Sequence, residues 1–203
     1  RVITGKKIEV VEKKADTVRV RLSGNESIEA ERMLLAVGRM RNTDGLGLEN
    51  IGITVEKNGV IPANEFLETS AAGIYALGDV VGSAQLAHVA SYEARLVVEN
   101  IAKSNPRKVD YRAIPSFIYS DPEVASVGLV RRSEELDPNI KEVRIPFAGL
   151  GKARVERETE GFFKLYREGS SGKVVGASAL GTHVTELMGE VTLAIRLGLR
   201  VED

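Results

Sequence analysis

From Lys7 to Leu22 apolar and polar residues alternate on either side of a break at Lys13 to Asp16, which predicts a hairpin with one buried face. Met33 to Val37 is a short continuous apolar run ended by Gly38, the pattern of a strand buried on both faces. "RNTDGLGLENIGI" reads as a loop with a short turn, and "GVIPANEFLETS" as extended pieces separated by Pro62. "GIYALGD" predicts another buried strand. Between Leu86 and Lys103, apolar or small residues at 86, 89, 90, 94, 97, 98 and 101 predict a helix packed on one side, and Ser104-Asn105-Pro106 cannot continue it.

"NPRKVDYRAIP" is polar with two prolines and predicts a linker, with a domain boundary near Val109. Beyond it, "SFIYSDPEVASVGL", "IKEVRIPF", "GFFKLYRE" and "KVVGASALG" are four strand-like stretches, with turns at Asp121-Pro122, Asp137-Pro138 and Gly169 to Gly172. Apolar positions 184, 187, 188, 191, 194 and 195 then predict an amphipathic helix, with Thr182 as its cap and Gly198 as its stop. The second half is an α+β layout, and no internal repeat or low-complexity tract interrupts the chain.

Composition narrows the function classes. Lys and Arg number 28 against 29 Asp and Glu, with the signs interspersed, so a nucleic-acid partner is not expected. No apolar run approaches the roughly 20 residues that span a bilayer, and the N-terminus lacks the apolar core of a signal peptide, so the expected setting is the cytoplasm rather than a membrane. The absence of cysteine excludes a disulfide, a thiolate metal site and a redox dithiol within these 203 residues.

Few motifs carry chemistry. Gly45-x-Gly47-x-x-Asn50 lacks the third glycine of a dinucleotide fingerprint and follows a loop, so it reads as a turn. Gly151-Lys152 is no phosphate loop, because Ala153 stands where Ser or Thr is required and Pro146 where the first glycine should be. His88 and His183 have no metal-ligand spacing and suit capping or packing roles, and Glu156, Glu158 and Glu160 read as a solvated stretch. No catalytic residue and no metal ligand is expected. Gly78-Asp79 is different: a carboxylate at the end of a buried strand suits a pair of vicinal hydroxyls, and the glycine allows close approach to the backbone. On the residues alone the dipeptide reads either as such a site or as a common turn.

The blocks "LLAVGRMRNTDGLGLENIGI", "TSAAGIYALGDV", "LAHVASYEA", "PSFIYSDPEVASVGL" and "GTHVTELMGEVTLAI" resemble, in order and spacing, the C-terminal half of the flavoprotein disulfide reductases, and among these the dihydrolipoamide dehydrogenases more than the glutathione or mercuric reductases. The resemblance implies a fold of α/β plus α+β type: residues 1–40 as the tail of an NAD domain, 41–108 as the returning segment of an FAD domain, and 109–203 as an interface domain that forms a homodimer. It implies that Asp79, beside Gly78, binds ribityl hydroxyls of FAD, and that Gln85, Leu86, Ala87 and His88 lie against the flavin at a helix N-terminus. Gly38, and less directly Ile8, match positions near bound NAD. Arg41 stands where the family usually has Pro, and Ala94 where it has Gly; neither change touches an identified chemical role.

The same resemblance places the FAD and NAD glycine fingerprints and the redox-active cysteine pair before Arg1, and the catalytic His and Glu after Asp203. The expectation is therefore a segment of an FAD- and NAD-dependent enzyme that oxidises dihydrolipoyl groups. Alone it would bind FAD only very weakly, with its partners being the N-terminal half, a second copy and a lipoyl-bearing complex. The alternative is an assembly module that dimerises without a cofactor.

Overall fold

The computed structural model describes residues 1–130 and 137–203, and the chain divides into two compact units, Arg1–Met40 and Arg41–Asp203. The first unit is an antiparallel three-stranded sheet of β1 (Ile8–Lys13), β2 (Val18–Leu22) and β3 (Glu26–Ala30) in that order. The predicted hairpin is β1–β2, and β3 extends it across Gly24 and Asn25, both with positive φ. Its apolar face is only thinly covered: Leu22 is buried, whereas Ile8, Val11 and Ile28 are exposed.

Met33 to Val37 is not a strand. Leu34 is 90% exposed and Val37 77%, and no described strand pairs with the run. A continuous apolar run signals a demand for burial on both faces. The antiparallel ladder of this unit ends at β3, whose free edge the run does not pair with, and among the described residues no layer covers the run.

The second unit opens with irregular chain organised around Ile53, Ile61 and Ala76, with Val80 and Val81 packed against them. "GIYALGD" contributes a single antiparallel bridge, Tyr75 to Glu68, and then turns into a 3-10 helix at Gly78–Val81 rather than continuing as a strand. Helix α1 (Ala87–Ala102) follows. Its inner face is Val89, Glu93, Leu96, Val97 and Asn100, while Val98 and Ile101 are 66% and 63% exposed. The packed stripe is thus rotated from the predicted one, because two polar side chains with internal partners take inward positions.

The stretch 107–113 is tied down rather than free. Asn100 brackets Arg107, the Val109 N–H donates to the Glu65 carbonyl at 2.8 Å, and the Asp110 N–H donates to the Tyr92 hydroxyl at 3.0 Å. Beyond it an antiparallel sheet runs β4 (Ser116–Ile118), β5 (Glu123–Gly128), β8 (Val174–Gly181), β7 (Phe162–Glu168) and β6 (Ile140–Pro146), so the first strand-like stretch is two strands joined through Asp121-Pro122. A short helix α2 (Gly151–Glu156) links β6 to β7.

Helix α3 (Val184–Leu197) lies on β5 and β8, where Ala125 faces Ala179 and Val127 faces Ala177. These small residues let the helix approach closely enough to bury Val184 and Met188 completely. Gly198 ends α3 in the left-handed conformation, as predicted, but its N-terminal residue is His183 at φ 57 and not Thr182, whose hydroxyl donates to Glu158 instead. Among the described residues no helix is long and apolar enough to cross a membrane, and no group of acidic or histidine side chains could hold a metal ion.

Candidate functional site

The segment 78–88 brings most of the predicted site residues together. Gly78 has φ 74 and is buried, and a Cβ there would stand 3.1 Å from the Ala90 Cβ of α1. The glycine is therefore required by the turn and by its packing on the helix, independently of any approaching molecule. Asp79 follows it on the surface, and no described residue donates a hydrogen bond to its carboxylate.

The backbone on either side of that carboxylate is held. Glu93 Oε2 accepts the Gly78 N–H at 2.5 Å, and Arg41 Nε donates to the Asp79 carbonyl at 2.8 Å. Arg41 thus does reach the candidate site. Glu93 is completely buried, and its second oxygen accepts from the Ser83 hydroxyl at 3.1 Å and the Tyr111 hydroxyl at 2.6 Å. Burial pushes the Tyr111 phenol well above its ordinary value, and the hydrogen bond to Glu93 adds to the shift. Pattern reading missed Glu93. The signal that could have found it is its spacing, four residues after Val89 and four before Val97, which sets it on the packed face.

The chain then runs from Gly82 through Gln85 into α1. Leu86 is extended at φ −132, and the helix starts at Ala87 without a side-chain cap. Gln85 and Ala87 are exposed. A 16-residue helix that begins uncapped presents free N–H groups and the positive end of its dipole, and both favour an electron-rich or anionic group. The His88 side chain is engaged elsewhere, with its Nε2 2.6 Å from the Pro115 carbonyl and its ring 5.6 Å from that of Phe117, which leaves its backbone N–H at the helix start.

In the first unit Ile8 lines an open apolar groove of about 440 Å³ with Val18, Val20, Leu22 and Ile28, rimmed by Arg1, Lys6 and Arg32. Gly38, at φ 111, is exposed and is not among the residues of that groove.

Residues 1–94 match the family described as pyridine nucleotide-disulphide oxidoreductase, and residues 114–203 match its dimerisation domain. The chain belongs to this family. Curated relatives include a dihydrolipoyl dehydrogenase of Bacillus subtilis, 40% identical over 95% of this chain and 42% of the relative. A mercuric reductase of Staphylococcus aureus is 35% identical over 99% of this chain and 38% of the relative. Among solved structures, the flavoprotein disulfide reductase RclA of Escherichia coli superposes with a TM-score of 0.86 at 27% identity, covering 96% of this chain and 45% of RclA. LpdA of Mycobacterium tuberculosis, at 24% identity and a TM-score of 0.88 over 97% of this chain and 43% of LpdA, shares the fold. The chain spans about 42% of the length of the dihydrolipoyl dehydrogenase that it matches. As a disulphide oxidoreductase segment it has mixed α and β structure with antiparallel sheets, and its second half carries the dimerisation fold.

Proposed function

We propose that this chain supplies part of the FAD-holding surface and the subunit contact of an enzyme that oxidises a dihydrolipoyl dithiol to its disulfide with NAD as electron acceptor. The observation that carries the reading is the pairing of Asp79, an exposed carboxylate on a clamped backbone, with the uncapped start of α1 a few residues later. The donor set suits FAD. The Asp79 carboxylate accepts from vicinal hydroxyls of a ribityl chain, and the N–H groups of Gln85, Ala87 and His88 favour an electron-rich ring, with Leu86 beside it giving its own N–H to the Ala84 carbonyl at 2.8 Å. FAD, when bound, supplies a two-electron carrier between the dithiol and the nicotinamide.

With no cysteine, the chain's own share of the work is to hold and orient, not to exchange thiols. In this reading residues 1–40 belong to an NAD domain, with Ile8 and Gly38 near its ligand, 41–108 to the FAD domain, and 109–203 to a homodimer interface. The partners are the N-terminal half of the enzyme, a second copy and a lipoyl-bearing complex, and the compartment is the cytoplasm.

The dihydrolipoyl dehydrogenases among the relatives favour this substrate over the mercuric ion. The test is to purify the protein that carries this chain, measure bound flavin, and follow NAD reduction with dihydrolipoamide beside NAD(P)H oxidation with glutathione disulfide or mercuric ion. Flavin with turnover on dihydrolipoamide is expected. Turnover only with one of the other two substrates would reassign the substrate, and a flavin-free dimer would favour an assembly module.

A further inference from the structure

The buried carboxylate of Glu93 has no part in the chemistry described so far, yet it accepts three hydrogen bonds. It sits in the middle of α1 with no exposed surface. One oxygen takes the N–H of Gly78, the residue directly before Asp79, and the other takes the hydroxyls of Ser83, two residues before Gln85, and of Tyr111, beyond the end of α1. A single side chain therefore fastens both ends of the turn that presents Asp79, and fastens that turn to the segment leading into the five-stranded sheet. Burying an acid is costly unless every acceptor is used, and an apolar residue would fill the same space without that cost. What a carboxylate adds is geometry: three donors from separate parts of the chain meet at one rigid point.

We infer that Glu93 is a positioning residue for the flavin, aiming the Asp79 carboxylate, and that Tyr111 links this aim to the dimerisation half of the chain. The inference rests on the reading of Asp79 as a contact to FAD. Tyr111 is the informative member of the cluster. Tyr111 is 42% exposed, and Tyr111→Phe removes one hydroxyl while keeping the ring, so packing changes little and Gly78 and Ser83 keep their bonds to Glu93. Glu93→Gln keeps the shape but turns an amide NH2 toward a donor, breaking one side of the cluster.

The experiment uses the flavin-bound protein that carries this chain, stripped of FAD and titrated with it, in wild type, Tyr111→Phe, Glu93→Gln, Asp79→Ala and the Tyr111→Phe/Asp79→Ala double variant. Three readouts are FAD affinity, the visible circular dichroism of the bound flavin, and unfolding of the apoprotein. Tyr111→Phe is expected to weaken FAD about three- to tenfold and Glu93→Gln by about tenfold or more, the scale of one net hydrogen bond and of a disrupted cluster. The flavin dichroism changes in both. In the Asp79→Ala background Tyr111→Phe should have no further effect on affinity, because the group it helps to aim is gone.

Unchanged affinity and dichroism in both single variants, with only apoprotein stability lowered, overturns the inference and leaves a structural cluster. So does an undiminished effect of Tyr111→Phe beside Asp79→Ala. A normal FAD affinity in Asp79→Ala instead removes Asp79 from the flavin site, which strikes the proposed reading itself.

Discussion

The carboxylate of Glu123, at the start of β5, accepts two hydrogen bonds from Thr185, one from its hydroxyl at 2.8 Å and one from its backbone N–H at 3.2 Å. Thr185 is the second residue of α3, whose first flanking residue, His183, offers no capping side chain. A residue 62 positions earlier in sequence therefore supplies the missing N-terminal acceptor.

The Thr185 hydroxyl, then its N–H, and to a smaller degree the charge on His183, hold the Glu123 carboxyl below its ordinary value. A carboxyl lowered in the folded state stabilises the fold in full above its unfolded pKa, and the contribution fades as the pH falls through the folded value. Glu123→Gln keeps an acceptor for Thr185 but removes the titration. Urea unfolding between about pH 3 and pH 7 should show a shallower acid limb for the variant than for wild type. Two parallel limbs would mean that Glu123 is not linked to folding.

Asn100 and Arg107 hold each other in a closed pair. The Asn100 amide donates to the Arg107 carbonyl and its oxygen accepts the Arg107 N–H, each at 2.8 Å. Asn100 is 9% exposed whereas Arg107 is exposed, so Asn100→Ala removes two hydrogen bonds and leaves the freed Arg107 backbone groups to water. The expected loss is about 1–3 kcal/mol by denaturant unfolding, with a larger rise in amide exchange at 107–109 than in β5 or β8.

Much of this architecture was legible as periodicity. The period of 3.6 marked α1 and α3 to within a residue or two, alternation marked β1 and β2, and Gly198 stopped α3 where a left-handed residue was needed. The readings that failed share a cause. Met33 to Val37 advertised a need for burial, but the pattern of one segment does not reveal whether a neighbour exists to meet it. Glu93 and Asn100 were invisible to a count of apolar positions, since their burial depends on donors supplied by Gly78, Ser83, Tyr111 and Arg107. Arg41, to which the sequence attached no chemical role, acquires a place because the fold brings it to the Asp79 carbonyl 38 residues along the chain.

Gly78 offers a test of the turn itself. Its φ of 74 is strained for any residue with a Cβ, and that Cβ would press on Ala90 at 3.1 Å. Gly78→Ala should cost about 1–3 kcal/mol in thermal or denaturant unfolding. Adding Ala90→Gly relieves the contact but not the backbone, so the double variant should recover only part of the loss. Full recovery would place the whole cost in the side-chain contact.

The last prediction concerns Asp79. Its carboxylate is exposed and unpartnered among the described residues, and the folded backbone is held through Gly78 and Arg41 rather than through the side chain. Asp79→Ala should leave the unfolding midpoint within about 0.5 kcal/mol of wild type, as for a surface position without structural bonds. In the flavin-bound protein the same change removes an acceptor of hydroxyl hydrogen bonds. Bonds to a charged group are worth roughly 1.5–3 kcal/mol, so FAD retention measured by gel filtration and flavin absorbance should fall ten- to a hundredfold. Asp79→Asn keeps one acceptor oxygen and should fall between the two. A variant that unfolds early would instead give Asp79 a structural role, and one that keeps its full flavin would leave the uncapped start of α1 as the candidate contact.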